Sequence, residues 1–168
     1  MGVMRVFGFA GWSGSGKTTL VERLIPQLRD QGLAVSLVKH AHHEFDIDHA
    51  GKDSHRHREA GCHEVLVTSA VRWALMHELR GAPELSLDAA LAQLSPCDLV
   101  LVEGFKSAAI PKLEVYRASV GKSMLHPGDK NIVAVATDEP LATPLPVFDL
   151  SDVAPIAAFI IAHAESRG

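Results

Sequence analysis

Gly11-Trp12-Ser13-Gly14-Ser15-Gly16-Lys17-Thr18 decides how this chain folds. The octet fits G-x-x-x-x-G-K-[ST], the phosphate-binding P-loop. Before it, Arg5-Val6-Phe7-Gly8-Phe9-Ala10 is an apolar run that reads as a buried strand. After it, Thr19 to Leu28 carries apolar residues at helical spacing. Strand, glycine loop and helix in that order are the context in which the motif acquires physical meaning. The glycines let successive backbone N–H groups turn into one concavity, and the helix N-terminus adds partial positive charge. Lys17 is placed to reach β- and γ-phosphates, and the Thr18 hydroxyl to meet Mg²⁺.

The rest of the chain agrees with an α/β fold of the P-loop NTPase type. The expected architecture is a mostly parallel central sheet flanked by helices, with extra edge strands. The 168 residues suit a single nucleotide-binding domain, and no linker or repeat interrupts them. A net charge of −4 gives no bulk attraction to nucleic acid or to an anionic membrane. No apolar run approaches the roughly 20 residues of a spanning helix. The start, Met1-Gly2-Val3-Met4-Arg5, enters a strand at once, so no signal peptide is expected. Two cysteines, Cys62 and Cys97, are expected as reduced thiols in a cytoplasmic protein.

In chain order, helix one is expected over 16–30, with Pro26 kinking it or ending it early, and a second strand over 33–39. A polar stretch from His40 to Ser54 follows the carboxyl end of that strand, the edge where open α/β sheets bind ligands. Asp53 or Ser54 is a candidate cap for a helix to about Ala60. Strands are expected over 64–69 and 72–79, and a short helix from Ser86. The run Leu99-Val100-Leu101-Val102 reads as a central strand covered on both faces. Alternation over 111–117 suggests a strand with one wetter face, and the polar segment 121–130 a mobile loop. Strands over 131–137 and 146–150 precede a last helix capped by Ser151-Asp152.

A nucleotide site needs a second metal contact at the same sheet edge. Asp98 and Glu103 flank the apolar run and lie roughly 16 Å apart at about 3.3 Å per residue. Glu103, at the carboxyl end, is the one on the P-loop's side, so Thr18 and Glu103 are the candidate Mg²⁺ ligands. Asp46 and Asp48, with Lys52 and Arg58, are candidates for a γ-phosphate-sensing switch. Asp138, following the 131–137 strand, is the candidate base reader, because a carboxylate can accept both N1–H and N2–H of guanine. Thr137-Asp138 lacks the lysine found between these residues in the full guanine-reading signal. Seven of the ten histidines fall between His40 and His63, but their spacing fits no closed structural zinc pattern.

The chain resembles the molybdopterin-guanine dinucleotide biosynthesis protein B family (MobB). The resemblance rests on Gly11–Thr19, Lys39-His40-Ala41-His42-His43, Asp46-Ile47-Asp48, Gly51-Lys52-Asp53-Ser54, Arg58-Glu59-Ala60-Gly61, Arg72-Trp73-Ala74-Leu75-Met76, Leu101-Val102-Glu103-Gly104-Phe105-Lys106 and Ile132-Val133-Ala134-Val135-Ala136. It implies a GTP-binding protein with weak Mg²⁺-dependent GTPase activity that assists conversion of molybdopterin to its guanine dinucleotide. It also implies a homodimer, partnership with the molybdenum cofactor nucleotidyltransferase, and a sheet extended by strands used in dimer contact. Gly11, Trp12, Ser13, Gly14, Ser15, Gly16, Lys17, Thr18 and Thr19 would then hold the nucleotide. Lys17, Asp46 and Asp48 would serve hydrolysis. The Val-Glu-Gly string is also similar to dethiobiotin synthetases, in which the glutamate serves the metal site. Two other readings remain open: an ATP-dependent small-molecule kinase or ligase of that type, and a metal-delivery protein whose histidines hold nickel or zinc.

Overall fold

The computed structural model describes residues 4–41 and 45–167. His42 and His43 of the histidine-rich stretch, and Met1 to Val3, lie outside them. The chain falls into two compact units, Met1–His40 with Leu87–Gly168, and Ala41–Ser86. The elements are β1 (Met4–Ala10), α1 (Lys17–Asp30), β2 (Val35–Lys39), α2 (Asp53–Glu59), β3 (Glu64–Thr68), β4 (Trp73–His77), α3 (Leu87–Leu91) and β5 (Leu99–Glu103). They continue as β6 (Lys112–Tyr116), β7 (Ile132–Thr137), β8 (Val147–Asp149), α4 (Val153–His163) and β9 (Glu165–Arg167).

The larger unit is built on a seven-stranded sheet in the order β2-β5-β1-β6-β7-β8, with β9 paired to β1. Every pairing in it is parallel except that of β9 with β1. The period-two geometry of strands explains the layers. Phe7 and Phe9 of β1, with Leu99 and Leu101 of β5, join the cluster that buries Leu20, Leu24 and Leu28 of α1 and Ile156 and Ile160 of α4. Val6, Val100 and Val102 point the other way, into the cluster with Leu87 and Leu91 of α3 and Ile110. All five residues of β5 are buried, as the sequence predicts for a strand covered on both faces.

Helix α1 runs through Pro26 to Asp30 rather than ending early. Proline deprives the Glu22 carbonyl of its helical partner. Both residues are exposed, so water can satisfy that oxygen, while buried Leu24 and Leu28 hold the helix on the sheet. Neither α2 nor α4 has a side-chain cap: the residues at those positions are Lys52 and Asp152, and neither makes a capping hydrogen bond.

The wetter face expected for β6 is not there. Lys112 and Glu114 are only 2% and 1% exposed. Their charges are met internally, which is what makes burial tolerable. The Lys112 ammonium donates to the Lys106 carbonyl at 2.7 Å and to Asp129 Oδ2 at 2.8 Å. Burial alone would raise the Asp129 carboxyl. Lys112 and the Asn131 N–H outweigh it and hold the group below its ordinary range. Glu114 accepts hydrogen bonds from the backbone N–H of Leu125 at 2.6 Å and of His126 at 2.9 Å. It also faces the His126 ring Nδ1 at 3.1 Å. The segment 121–130, expected to be mobile, is thus tied to a buried carboxylate and includes a 3₁₀ turn at His126–Gly128.

Asp98, the acid at the far end of the apolar run, is a structural clamp. Its Oδ2 accepts from Ala34 N–H at 2.7 Å, and its own N–H donates to the Ala34 carbonyl at 3.0 Å, tying the approach to β2 to the start of β5.

In the smaller unit β3 and β4 form their own two-stranded antiparallel sheet, with Glu64 opposite His77 and Thr68 opposite Trp73. The turn between them is fastened by the Ser69 hydroxyl, which accepts from the N–H of Val71 and Arg72 and donates to the Arg72 carbonyl.

Candidate nucleotide site

The P-loop lies between β1 and α1, as the octet requires. At Gly11 an added Cβ would stand 2.6 Å from the Val115 carbonyl oxygen and 2.7 Å from Ser15 Oγ, so no larger residue fits without moving the loop. Lys17 Nζ folds back onto the loop, donating to the carbonyls of Gly11 at 2.7 Å and Trp12 at 3.0 Å. Burial lowers the Lys17 pKa from its ordinary value. The negative charge of Glu103 opposes that shift, and the nearby ammonium groups of Lys106 and Lys39 add to it.

Glu103 meets the loop as its place on β5 predicts. The Thr18 hydroxyl donates to Glu103 Oε1 at 3.1 Å. Lys39 Nζ at the end of β2 stands 3.9 Å from the same oxygen. The carboxylate is 8% exposed. Gly104 behind it has φ +94°, and an added Cβ there would lie 2.7 Å from the Cβ of His40, so the Glu-Gly pair in the sequence reflects a close backbone approach. Two hard oxygen donors, a hydroxyl and a carboxylate, therefore converge beside the phosphate loop, a donor set that suits Mg²⁺. The hydroxyls of Ser15 in the loop and Thr137 at the end of β7 are buried without a hydrogen-bond partner among the described residues.

Arg117, which sequence reasoning missed, joins two parts of this edge. Its Nε donates to the Ser15 carbonyl at 3.1 Å and its Nη1 to Asp138 Oδ2 at 3.0 Å. The candidate base reader is thus linked to the P-loop by one guanidinium. The only sequence signal was position: Arg117 follows β6, the strand beside β1. Trp12 stands in the loop with the ammonium groups of Lys106 and Lys122 at 5.9 and 5.8 Å from its ring centroid.

Asp46 and Asp48 belong to the smaller unit, where Arg58 gathers them. Arg58 Nη2 lies 2.8 Å from Asp46 Oδ2 and 3.6 Å from Asp48 Oδ2, and its Nη1 lies 2.7 Å from Glu78 Oε1. Hydrogen bonds from Arg58 and from the Asp48 N–H hold Asp46 below the ordinary carboxylate range. Burial works in the opposite direction at Asp48, but its bonds from Ser54 and His49 prevail and that carboxyl is lowered too. Among the described residues no group of three or more His, Cys, Asp or Glu side chains is arranged to hold a metal ion. His63 and His77 meet edge to face with ring centroids 4.5 Å apart.

Comparison with known proteins identifies the family. Residues 6–138 match the family model described as molybdopterin guanine dinucleotide synthesis protein B. An Escherichia coli protein named molybdopterin-guanine dinucleotide biosynthesis adapter protein is 42% identical over 161 residues, covering 93% of this chain and 91% of its own. A Haemophilus influenzae protein of the same name is also 42% identical, over 155 residues and 92% and 86% of the two chains. A crystal structure of molybdopterin-guanine biosynthesis protein B superposes with a TM-score of 0.72 at 30% identity, covering 94% of this chain and 98% of that one. A Bacillus subtilis MobB structure, at 24% identity and a TM-score of 0.73 over 97% and 99% of the chains, shares the fold. From loop to sheet order, the chain belongs to the molybdopterin guanine dinucleotide synthesis protein B family.

Proposed function

We propose that this protein is a GTP-binding adapter with weak Mg²⁺-dependent GTPase activity that assists the conversion of molybdopterin to its guanine dinucleotide. The adapter role follows its relatives, which carry that name at 42% identity over most of both chains. One observation carries the nucleotide reading: Thr18 Oγ1 and Glu103 Oε1 stand 3.1 Å apart at the mouth of an intact P-loop. Backbone N–H groups of residues 13–18 would cradle the phosphates. Thr18 and Glu103 would hold Mg²⁺, directly or through water, and the ion would neutralise charge on the phosphate oxygens. Lys17, Asp46 and Asp48 are assigned to hydrolysis. Both aspartates are held below the ordinary carboxylate range, so they are hydrogen-bond acceptors at neutral pH, as groups that orient water must be. The partner in this reading is the cofactor's nucleotidyltransferase. The protein would work in the cytoplasm, and among the described residues no helix is long and apolar enough to cross a membrane.

A homodimer is part of the proposal. The β3–β4 hairpin exposes Leu66, Val67, Trp73 and Leu75, with Trp73 66% accessible. A second copy would remove that apolar surface from water.

Calorimetric titration with GTP and ATP, each with and without Mg²⁺, tests the nucleotide reading. GTP should bind at least about tenfold more tightly, a preference of about 1.4 kcal/mol that one bidentate carboxylate contact can supply. Asp138→Asn should bring the two affinities within about threefold of each other, and an undiminished preference would mean that the base is read elsewhere. Glu103→Gln should reduce the Mg²⁺ enhancement of GTP binding by about tenfold. Full Mg²⁺ dependence in that variant would move the metal to another acid, with Asp46 and Asp48 the first to examine. ATP preference together with acceptor-dependent ADP release would replace this proposal with the small-molecule kinase.

A further inference from the structure

The carboxyl edge of the larger unit holds more positive charge than one P-loop uses. Lys17, Lys39, Lys106, Arg117 and Lys122 belong to the loop or to segments at or after the ends of β2, β5 and β6. Lys39 stands near Glu103, and Arg117 pairs with Asp138. Lys17 is the loop's own phosphate-binding cation. Lys106 and Lys122 have no carboxylate partner among the described residues, in a chain whose net charge is −4. Both stand over the Trp12 ring at just under 6 Å, the outer reach of a cation–π contact.

The ring and the two segments that carry these lysines are anchored by other residues. The Trp12 indole N–H donates to the Ser123 carbonyl at 2.8 Å, which fixes the ring. The Lys106 carbonyl receives the buried Lys112 ammonium. The segment carrying Lys122 and Ser123 continues into Leu125 and His126, whose N–H groups are bound by buried Glu114. Both buried charges of β6 thus anchor segments that present a lysine to Trp12. Two ammonium groups that share one ring and have no carboxylate partner among the described residues offer a doubly charged anion countercharge beyond that of Lys17.

We propose that Trp12, Lys106 and Lys122 form a second phosphate seat beside the P-loop, for a dianionic phosphate group beyond those cradled by the loop's backbone. The group comes either from a separate phosphomonoester or from the terminal phosphate of the nucleotide. The inference rests on the P-loop being a nucleotide site.

The chain has two tryptophans, so Trp73→Phe leaves Trp12 as the sole tryptophan reporter. The full chain carrying that change is saturated with GDP and Mg²⁺, and phenyl phosphate is titrated at constant ionic strength. A saturable change in Trp12 emission, weakened at least about tenfold by Lys106→Ala with Lys122→Ala, identifies a phosphomonoester seat. If phenyl phosphate gives no response, a loss of at least about tenfold in GTP affinity with GDP affinity unchanged in the double variant identifies the terminal phosphate. The seat is overturned if neither response appears, or if the double variant weakens GDP and GTP equally. Failure of the underlying nucleotide reading looks different: the unsubstituted protein would not bind GDP, and phenyl phosphate titrated into nucleotide-free protein would then test the seat by itself.

Discussion

Lys17→Ala should weaken GTP binding at least about 100-fold, or about 2.8 kcal/mol, while leaving the thermal midpoint within about 2 °C of the parent. The asymmetry follows from what Lys17 touches. Among the described residues its ammonium donates only to the carbonyls of Gly11 and Trp12, two oxygens of the loop it serves. Neither contact ties distant parts of the fold together. Burial chiefly lowers the Lys17 pKa, so removing the charge relieves that cost and the repulsion from Lys106 and Lys39 while giving up the attraction to Glu103. Stability therefore changes little, whereas a bound triphosphate loses the loop's own cation. Calorimetry and a thermal melt on the same sample provide both numbers. Binding within threefold of the parent would remove Lys17 from the phosphate site, and a collapse of the melt would make it structural.

Glu114→Ala should have the opposite profile. The parent carboxylate is fully enclosed and satisfies two backbone N–H groups and the His126 ring. His126 in turn meets the Thr143 hydroxyl at 3.0 Å. Alanine leaves two donors unpaired and opens a cavity, and buried losses of this kind amount to about 3 kcal/mol or more. For a chain of this size that corresponds to a drop of about 6–12 °C in the thermal midpoint. Chemical denaturation should show a lower midpoint with an unchanged slope. A shift below about 2 °C would mean that the 121–130 segment does not depend on Glu114.

These two residues also mark how far the sequence could be read. The placing of Lys17 at the start of α1 was legible because the motif is local: eight consecutive residues, a strand before and a helix after. Glu103 was legible for a related reason, since a strand has a direction and only one of its two flanking acids lies at the loop's edge. Glu114 and Lys112 were not. Alternating charged and apolar residues in β6 normally mark a half-exposed strand. Here the charges are buried because Asp129, Leu125 and His126, brought from later in the chain, meet them. Arg117 was missed for a similar reason: both its partners, Ser15 and Asp138, are distant in sequence. Strand β9 carries no pattern of its own. Glu165-Ser166-Arg167 is short and polar, and it becomes a strand by pairing with Val6, Arg5 and Met4. The helix caps were misjudged for two reasons: α2 starts at Asp53, which leaves Lys52 at the cap, and Asp152, a favoured type at the cap of α4, makes no capping bond.

That last strand bears on how a ligand is received. Along one side β1 is paired with β5 from Arg5 to Phe9, and on the other it is shared between β9 at Met4–Val6 and β6 at Gly8–Ala10. The strand that ends in the P-loop is therefore braced on both sides almost to its last residue. The conformational entropy of shaping the cradle is lost when the chain folds, not when a phosphate arrives. Preorganisation of this kind leaves more of each contact's free energy to appear as affinity.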